Sequence, residues 1–217
     1  MKVERFTLGP FGTNTYVVSD DNGKVLLIDP ACSNEYERQQ LYRYISNIKS
    51  QISNFKLSIV ATHGHLDHLW GAKWATETWG VPVLMHEADI PMAKAMQQQY
   101  DMFGIRTKAE PFPMENIKSE ILNLKSQMSN FKLLETPGHT PGSICLYFND
   151  QLQISNHKSP ILISGDTLFR MGYGRTDLPG GDMGQLIDSL ERLFALPADT
   201  LVYPGHGDFT TIGAERR

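Results

Sequence analysis

The stretch His63-Gly64-His65-Leu66-Asp67-His68 sets three imidazoles and one carboxylate within six positions. Side chains two residues apart on extended backbone point the same way, so His63 and His65 can grip one cation together. Asp67 and His68 follow as the loop turns into a helix, where they can face a second cation. Imidazole and carboxylate donors without thiolate suit Zn²⁺, Mn²⁺ or Fe²⁺.

Three further segments share one format, an apolar run, a glycine-containing turn, then a potential ligand. "ETPGHTPGS" (135–143) presents His139, "ILISGDTLF" (161–169) presents Asp166, and "LVYPGHGD" (201–208) presents His206. Glycine at these turns lets backbone approach an ion closely. Asp166 is suited to bridging two ions, and bridged ions share a water whose pKa falls towards ~7.

The elements that position these residues are legible in outline. Strand-length apolar runs recur as "VERFTL", "TYVVS", "KVLLID", "KLSIVAT", "VPVLM", "FKLLET", "SICLYF", "ILIS" and "TLVYP". Helical periodicity is expected over 35–49, with Leu41, Ile45 and Ile48 on one face, over 69–79, over 87–99 with an early break at Pro91, and over 182–195 with Asp182 as N-cap. That is a mixed α/β chain, read as one domain over 1–217. "IKSQISNFKL" (48–57) returns as "LKSQMSNFKL" (124–133) and partly as "QISNHK" (153–158). Each copy reads as a polar turn feeding a core strand. Segment 85–104 is Met-rich, suited either to an overhanging apolar insertion or to plain core.

Lys and Arg number 20 against 24 Asp and Glu, a net charge of −4, so nucleic acid or an anionic membrane surface finds no basic face to bind. No apolar run is long enough for a membrane span and no signal peptide opens the chain, so a cytoplasmic location is expected. Cys32 and Cys145 stand alone, which predicts two reduced, buried thiols.

The series T-H-G-H-x-D-H, P-G-H-T, S-G-D and P-G-H-G resembles the motif set of the metallo-β-lactamase superfamily, and "LLIDP" resembles its first motif, at Asp29. The likeness runs from about residue 11 to 213. It implies an αββα sandwich, α/β (α+β) in class, with two mixed sheets flanked by helices. By the same resemblance His63, His65 and His139 would hold one ion, Asp67, His68 and His206 a second, and Asp166 would bridge them. Zinc is the first expectation and iron or manganese the next. Asp67 would also orient the attacking hydroxide, and Asp29, Thr62 and Thr140 would set histidine tautomers.

"GRTD" followed by "LPGGD", with "YPGHGDFTTIGAER", is similar to the glyoxalase II (hydroxyacylglutathione hydrolase) family in its short bacterial branch. This implies thioester hydrolysis, of S-D-lactoylglutathione or a related hydroxyacyl thiol, by a metal-bridging hydroxide. The family's longer enzymes add a helical glutathione-binding domain, whereas residues 207–217 are all that follow His206. A mononuclear iron persulfide dioxygenase, which resembles the same motifs, and a lactone or other ester hydrolase are the alternatives. A non-catalytic metal protein is disfavoured, since structural zinc sites are closed. Phe169, Tyr173 and Arg175 are candidates for the substrate pocket. Arg175 reads equally well as the partner of Asp177, and the aromatics as ordinary core.

Overall fold

The computed structural model describes residues 1–119, 131–154 and 157–216. The chain divides into two compact units, residues 2–119 and residues 120–217 with Met1.

The first unit is built on a six-stranded sheet in the order β1-β2-β3-β4-β5-β6. β1 (Lys2–Leu8), β2 (Thr13–Ser19) and β3 (Lys24–Ile28) form an antiparallel meander. β4 (Lys56–Val60), β5 (Val83–Met85) and β6 (Met114–Asn116) then continue parallel to β3. Parallel pairing demands crossovers. The first is α1 (Glu35–Gln51), whose N-cap Asn34 accepts a hydrogen bond from the Glu37 N–H. Glu35 and Glu37 sit in its first turn, favourable to the helix dipole. Its Leu41 and Ile45 are buried among Leu27, Ile59 and Ala75, and Ile48 packs at the margin, as the periodicity predicts.

α2 (Ala72–Trp79) begins later than the expected residue 69. Leu69–Gly71 instead extend the histidine loop, with the Gly71 N–H donating to the Pro30 carbonyl at 2.7 Å. Pro91 does not break the next helix. It occupies the first turn of α3 (Ile90–Lys94), where a missing N–H is harmless, and the break falls at Ala95 before α4 (Met96–Met102). Met85, Ala93, Met96 and Tyr100 pack into the core, while Met102 and Phe103 are exposed, so most of the Met-rich segment is plain core.

The second unit carries a five-stranded sheet, β13-β12-β9-β8-β7, and a two-stranded hairpin, β10-β11. β7 (Phe131–Glu135), β8 (Ile144–Ile154) and β9 (His157–Gly165) run antiparallel. β12 (Leu201–Pro204) runs parallel to β9, which brings Asp166 and His206 to the same end of adjacent strands. The crossover between them is α5 (Met183–Phe194), with the expected N-cap, Asp182, accepting from the Gln185 N–H. Its Leu186, Leu190 and Leu193 pack on Cys145, Tyr147, Leu162 and Val202. β10 (Leu168–Phe169), β11 (Gly172–Tyr173), β13 (Thr210–Thr211) and α6 (Ile212–Glu215) complete the unit. The class is the expected one, mixed α/β with two main sheets, each covered by helices.

Cys32 and Cys145 are both free and buried. The first repeat copy, 48–57, closes α1, turns, and enters β4 as expected. Much of the second copy (124–130) and the centre of the third (155–156) lie outside the described residues.

Candidate functional site

In the first unit the histidine loop leaves the C-terminal end of β4, where parallel strands open their ligand-binding edge. Asp29 follows β3 on that edge and is the organising group. Its Oδ1 accepts from the Thr62 N–H (2.7 Å), and its Oδ2 from the Thr62 hydroxyl (2.7 Å) and from His68 Nδ1 (2.9 Å). Asp29 is 1% exposed and has φ +52°, a left-handed conformation that Asp tolerates better than most residues. Its own carbonyl accepts from Thr15 Oγ1, and Thr15 Oγ1 in turn accepts from the Ala31 N–H, which pins the turn.

This network fixes tautomers. The Thr62 proton goes to Asp29, so the Thr62 oxygen accepts from His63 Nδ1 at 3.1 Å. His68 likewise donates through Nδ1. Both rings therefore hold their protons on Nδ1 and offer Nε2 lone pairs. The His63 ring centroid lies 4.1 Å from that of His68 and 4.9 Å from that of His65. Asp67 Oδ2 accepts from the Thr13 hydroxyl (3.0 Å) and lies 3.5 Å from His68 Nε2. Asp29 and Thr62 thus hold the Nδ1 sides of His63 and His68.

The second unit gathers His139, Asp166 and His206. His139 Nδ1 donates to the Arg175 carbonyl at 2.7 Å, which again leaves Nε2 as the lone-pair nitrogen. A single oxygen, Asp166 Oδ2, lies 3.6 Å from both His139 Nε2 and His206 Nε2. Thr140 closes its turn through Ser143, hydroxyl to hydroxyl at 2.7 Å. The Phe169 ring stands edge-on to His206, centroids 6.2 Å apart. Tyr173 is exposed. The Arg175 guanidinium makes a bidentate pair with Asp177, both contacts at 2.6 Å, and those hydrogen bonds hold the Asp177 carboxyl down at about 2. Of Arg175, it is the main chain that serves the histidine.

The donor chemistry fits divalent ions. Separations of 3.5–3.6 Å between imidazole nitrogen and carboxylate oxygen exceed hydrogen-bonding range. Two ligand atoms each about 2.1 Å from a shared ion, at tetrahedral to trigonal angles, stand ~3.4–3.6 Å apart.

Sequence reasoning missed two groups that hold the histidine loop. Asp89, fully buried, accepts from the Gly64 N–H at 2.8 Å. Gln99 of α4 accepts from the Leu66 N–H (2.9 Å) and donates to the carbonyls of Gly64 (3.0 Å) and Met92 (3.1 Å). The glutamine sits in an ordinary helical "QQQ" run, so no local signal separates it from its neighbours.

The sequence profile of the metallo-β-lactamase superfamily matches residues 8–206, and the chain belongs to that superfamily. Across all of this chain and 96% of its own length, the "Hydroxyacylglutathione hydrolase GloC" of Haemophilus influenzae is 33% identical. The "Probable metallo-hydrolase YqgX" of Bacillus subtilis is 34% identical over all of this chain and 95% of its length. Among solved structures, TTHA1623 in a di-iron-bound form is 31% identical, with a TM-score of 0.76 over 99% of this chain and 97% of that one. The class is thus a metal-dependent hydrolase of this superfamily with a divalent-metal His/Asp set. No helix among the described residues is long and apolar enough to cross a membrane.

Proposed function

We propose that the protein is a dinuclear thioester hydrolase acting on S-D-lactoylglutathione or a related hydroxyacyl thiol. The observation that carries this reading is Asp166 Oδ2, equidistant at 3.6 Å from two imidazole nitrogens and so shaped as a bridge. The relation to the Haemophilus hydrolase supports the substrate class. In this assignment His63, His65 and His139 hold one ion, Asp67, His68 and His206 the other, and Asp166 both. The native pair is zinc or iron, and the di-iron relative raises the weight of iron.

Bound ions supply a water acidified to near neutrality and an electrophile for the thioester carbonyl. The residues do the rest. Asp29 and the Arg175 carbonyl keep Nδ1 of His68 and His139 protonated, so each Nε2 stays a ligand. Asp67, held by Thr13, presents a carboxylate that orients the attacking hydroxide. The substrate is a small molecule, and a cytoplasmic setting suits the acyl-thiol reading.

The test is thiol release from S-D-lactoylglutathione by metal-reconstituted protein under nitrogen, with Asp67→Ala and a chelated sample beside it. Rapid release that needs two equivalents of metal, and that Asp67→Ala loses, is the expected result. Full turnover by Asp67→Ala refutes the dinuclear assignment. Oxygen uptake with glutathione persulfide at one iron per chain, without thioester cleavage, would establish the dioxygenase alternative.

A further inference from the structure

The hairpin β10-β11 pairs Leu168 with Tyr173 and Phe169 with Gly172, leaving Arg170 and Met171 as a two-residue turn. Met171 takes φ +64°. That region favours glycine, and the adjacent Gly172 keeps an ordinary negative-side φ, so the chain places a bulky residue where the turn asks for glycine and a glycine where it does not. The strained position is held firmly. The Met171 N–H donates to Glu215 Oε2 at 2.8 Å, and Glu215 Oε1 accepts from the Thr210 hydroxyl at 2.7 Å. A strained residue that the surrounding structure goes to this length to fix is a sign of use.

Its side chain is little packed. Met171 is 74% exposed, the most exposed large apolar residue among those described. The strands that carry it touch the second unit's candidate ligands on both sides. Phe169 stands against His206, and a Cβ on Gly174 would overlap the Asp166 carbonyl and come within 3.0 Å of the His139 ring. Arg175 then binds His139 through its carbonyl. The hairpin is therefore a short arm whose base lies against His139, Asp166 and His206, with Met171 at its tip and Tyr173 also exposed.

We propose that Met171 is a specificity-determining residue, an apolar lip that takes the hydrocarbon arm of an acyl-thiol substrate. This rests on the thioester-hydrolase reading above. Methionine suits the task because its unbranched thioether adapts to arms of different shape.

Met171→Gly separates strain from use, because glycine relaxes the turn while deleting the lip. The assay compares N-acetylcysteamine thioesters of acetate and hexanoate, and the acetyl thioester of hexanethiol, with wild type, Met171→Gly and Met171→Leu. Wild type is expected to favour one of the long-armed substrates. Met171→Gly should lower that preference about fivefold, the size of losing contact with one or two methylenes, and should do so through KM. Its unfolding midpoint should rise by about 2–4 °C. Met171→Leu should keep the preference without the rise. A wild type without a long-arm preference, or a Met171→Gly that keeps it while melting higher, overturns the lip. So does a Met171→Gly that turns a dimer into a monomer by light scattering, which would make the tip a self-contact. If active wild type shows no effect of the substitution, only the lip falls; if wild type cleaves no thioester, the thioester reading falls and takes the lip with it.

Discussion

Removing the Asp29 carboxylate tests whether the histidine loop is held from behind. Asp29→Ala deletes the acceptor of three hydrogen bonds, from the Thr62 N–H, the Thr62 hydroxyl and His68 Nδ1, at a residue 1% exposed. A hydrogen bond to a charged group contributes about 1.5–3 kcal/mol. The low end applies here, because one carboxylate serves three donors and the Thr62 hydroxyl can turn elsewhere, which gives a loss of about 4 kcal/mol. Alanine at φ +52° adds about 1 kcal/mol more. At ~2–4 °C per kcal/mol for a chain of this size, the apo-protein should melt about 10–20 °C lower. Asp29→Asn separates packing from tautomer. It keeps the shape and tolerates the left-handed backbone, so it should lose only ~1–2 kcal/mol. Its amide cannot accept from all three donors, so the His68 proton is driven to Nε2 and metal affinity should fall about 10–100-fold. Thermal unfolding by circular dichroism gives the first quantity, and competition with a chromophoric chelator the second. An Asp29→Ala protein melting within 3 °C of wild type, or an Asp29→Asn protein with undiminished metal affinity, would refute this account.

Gln99→Ala removes the three hydrogen bonds that tie α4 to the histidine loop and to Met92. It should cost about 2 kcal/mol in a denaturant melt and weaken metal binding in the chelator titration; unchanged affinity would mean the loop needs no support from α4. Burial pushes the Cys32 thiol from 9.0 up to about 12 and the Cys145 thiol from 9.0 up to about 11. The folded state therefore keeps protons that the unfolded chain gives up above pH 9, so stability is full below pH 9 and declines as pH rises through 11–12. An aromatic disulfide reagent at pH 8 should find no reactive thiol in the native protein and two in denaturant, and rapid reaction of either native thiol would contradict the burial.

The candidate ligands were legible because their chemistry is written in residue type. Imidazole and carboxylate after apolar runs have few other uses in that spacing, and the loops that follow β4, β7, β9 and β12 carry His63 to His68, His139, Asp166 and His206. The strong elements followed too, since β2 and β3 carry short β-branched or apolar runs, buried almost throughout, and α1 shows a clear helical period. β6, with the sequence MEN, was not legible, because one methionine and two polar residues, the central Glu115 exposed, carry no strand signal and the pairing with β5 decides their conformation. Pro91 was misread because proline stops one helix and starts the next with equal ease. The roles of Gln99, Asp89 and the Arg175 carbonyl were beyond sequence altogether: the first two depend on which distant loop each side chain meets, and the third is a main-chain atom every residue possesses.

The anchors of the histidine loop have a consequence for how the site comes into being. Asp29 is 33 residues from Thr62, Asp89 is 25 from Gly64, and Gln99 is 35 from Gly64. A peptide cut from residues 61–72 would carry four candidate ligands and none of these anchors. On the ribosome, the loop emerges well before Asp89 and Gln99 exist to hold it. Its order is a late, non-local product of chain closure, bought with loop entropy rather than written into the local sequence. An ion that meets the unfolded chain finds the same donors without these anchors, so the loop's affinity for metal should rise as the first unit closes.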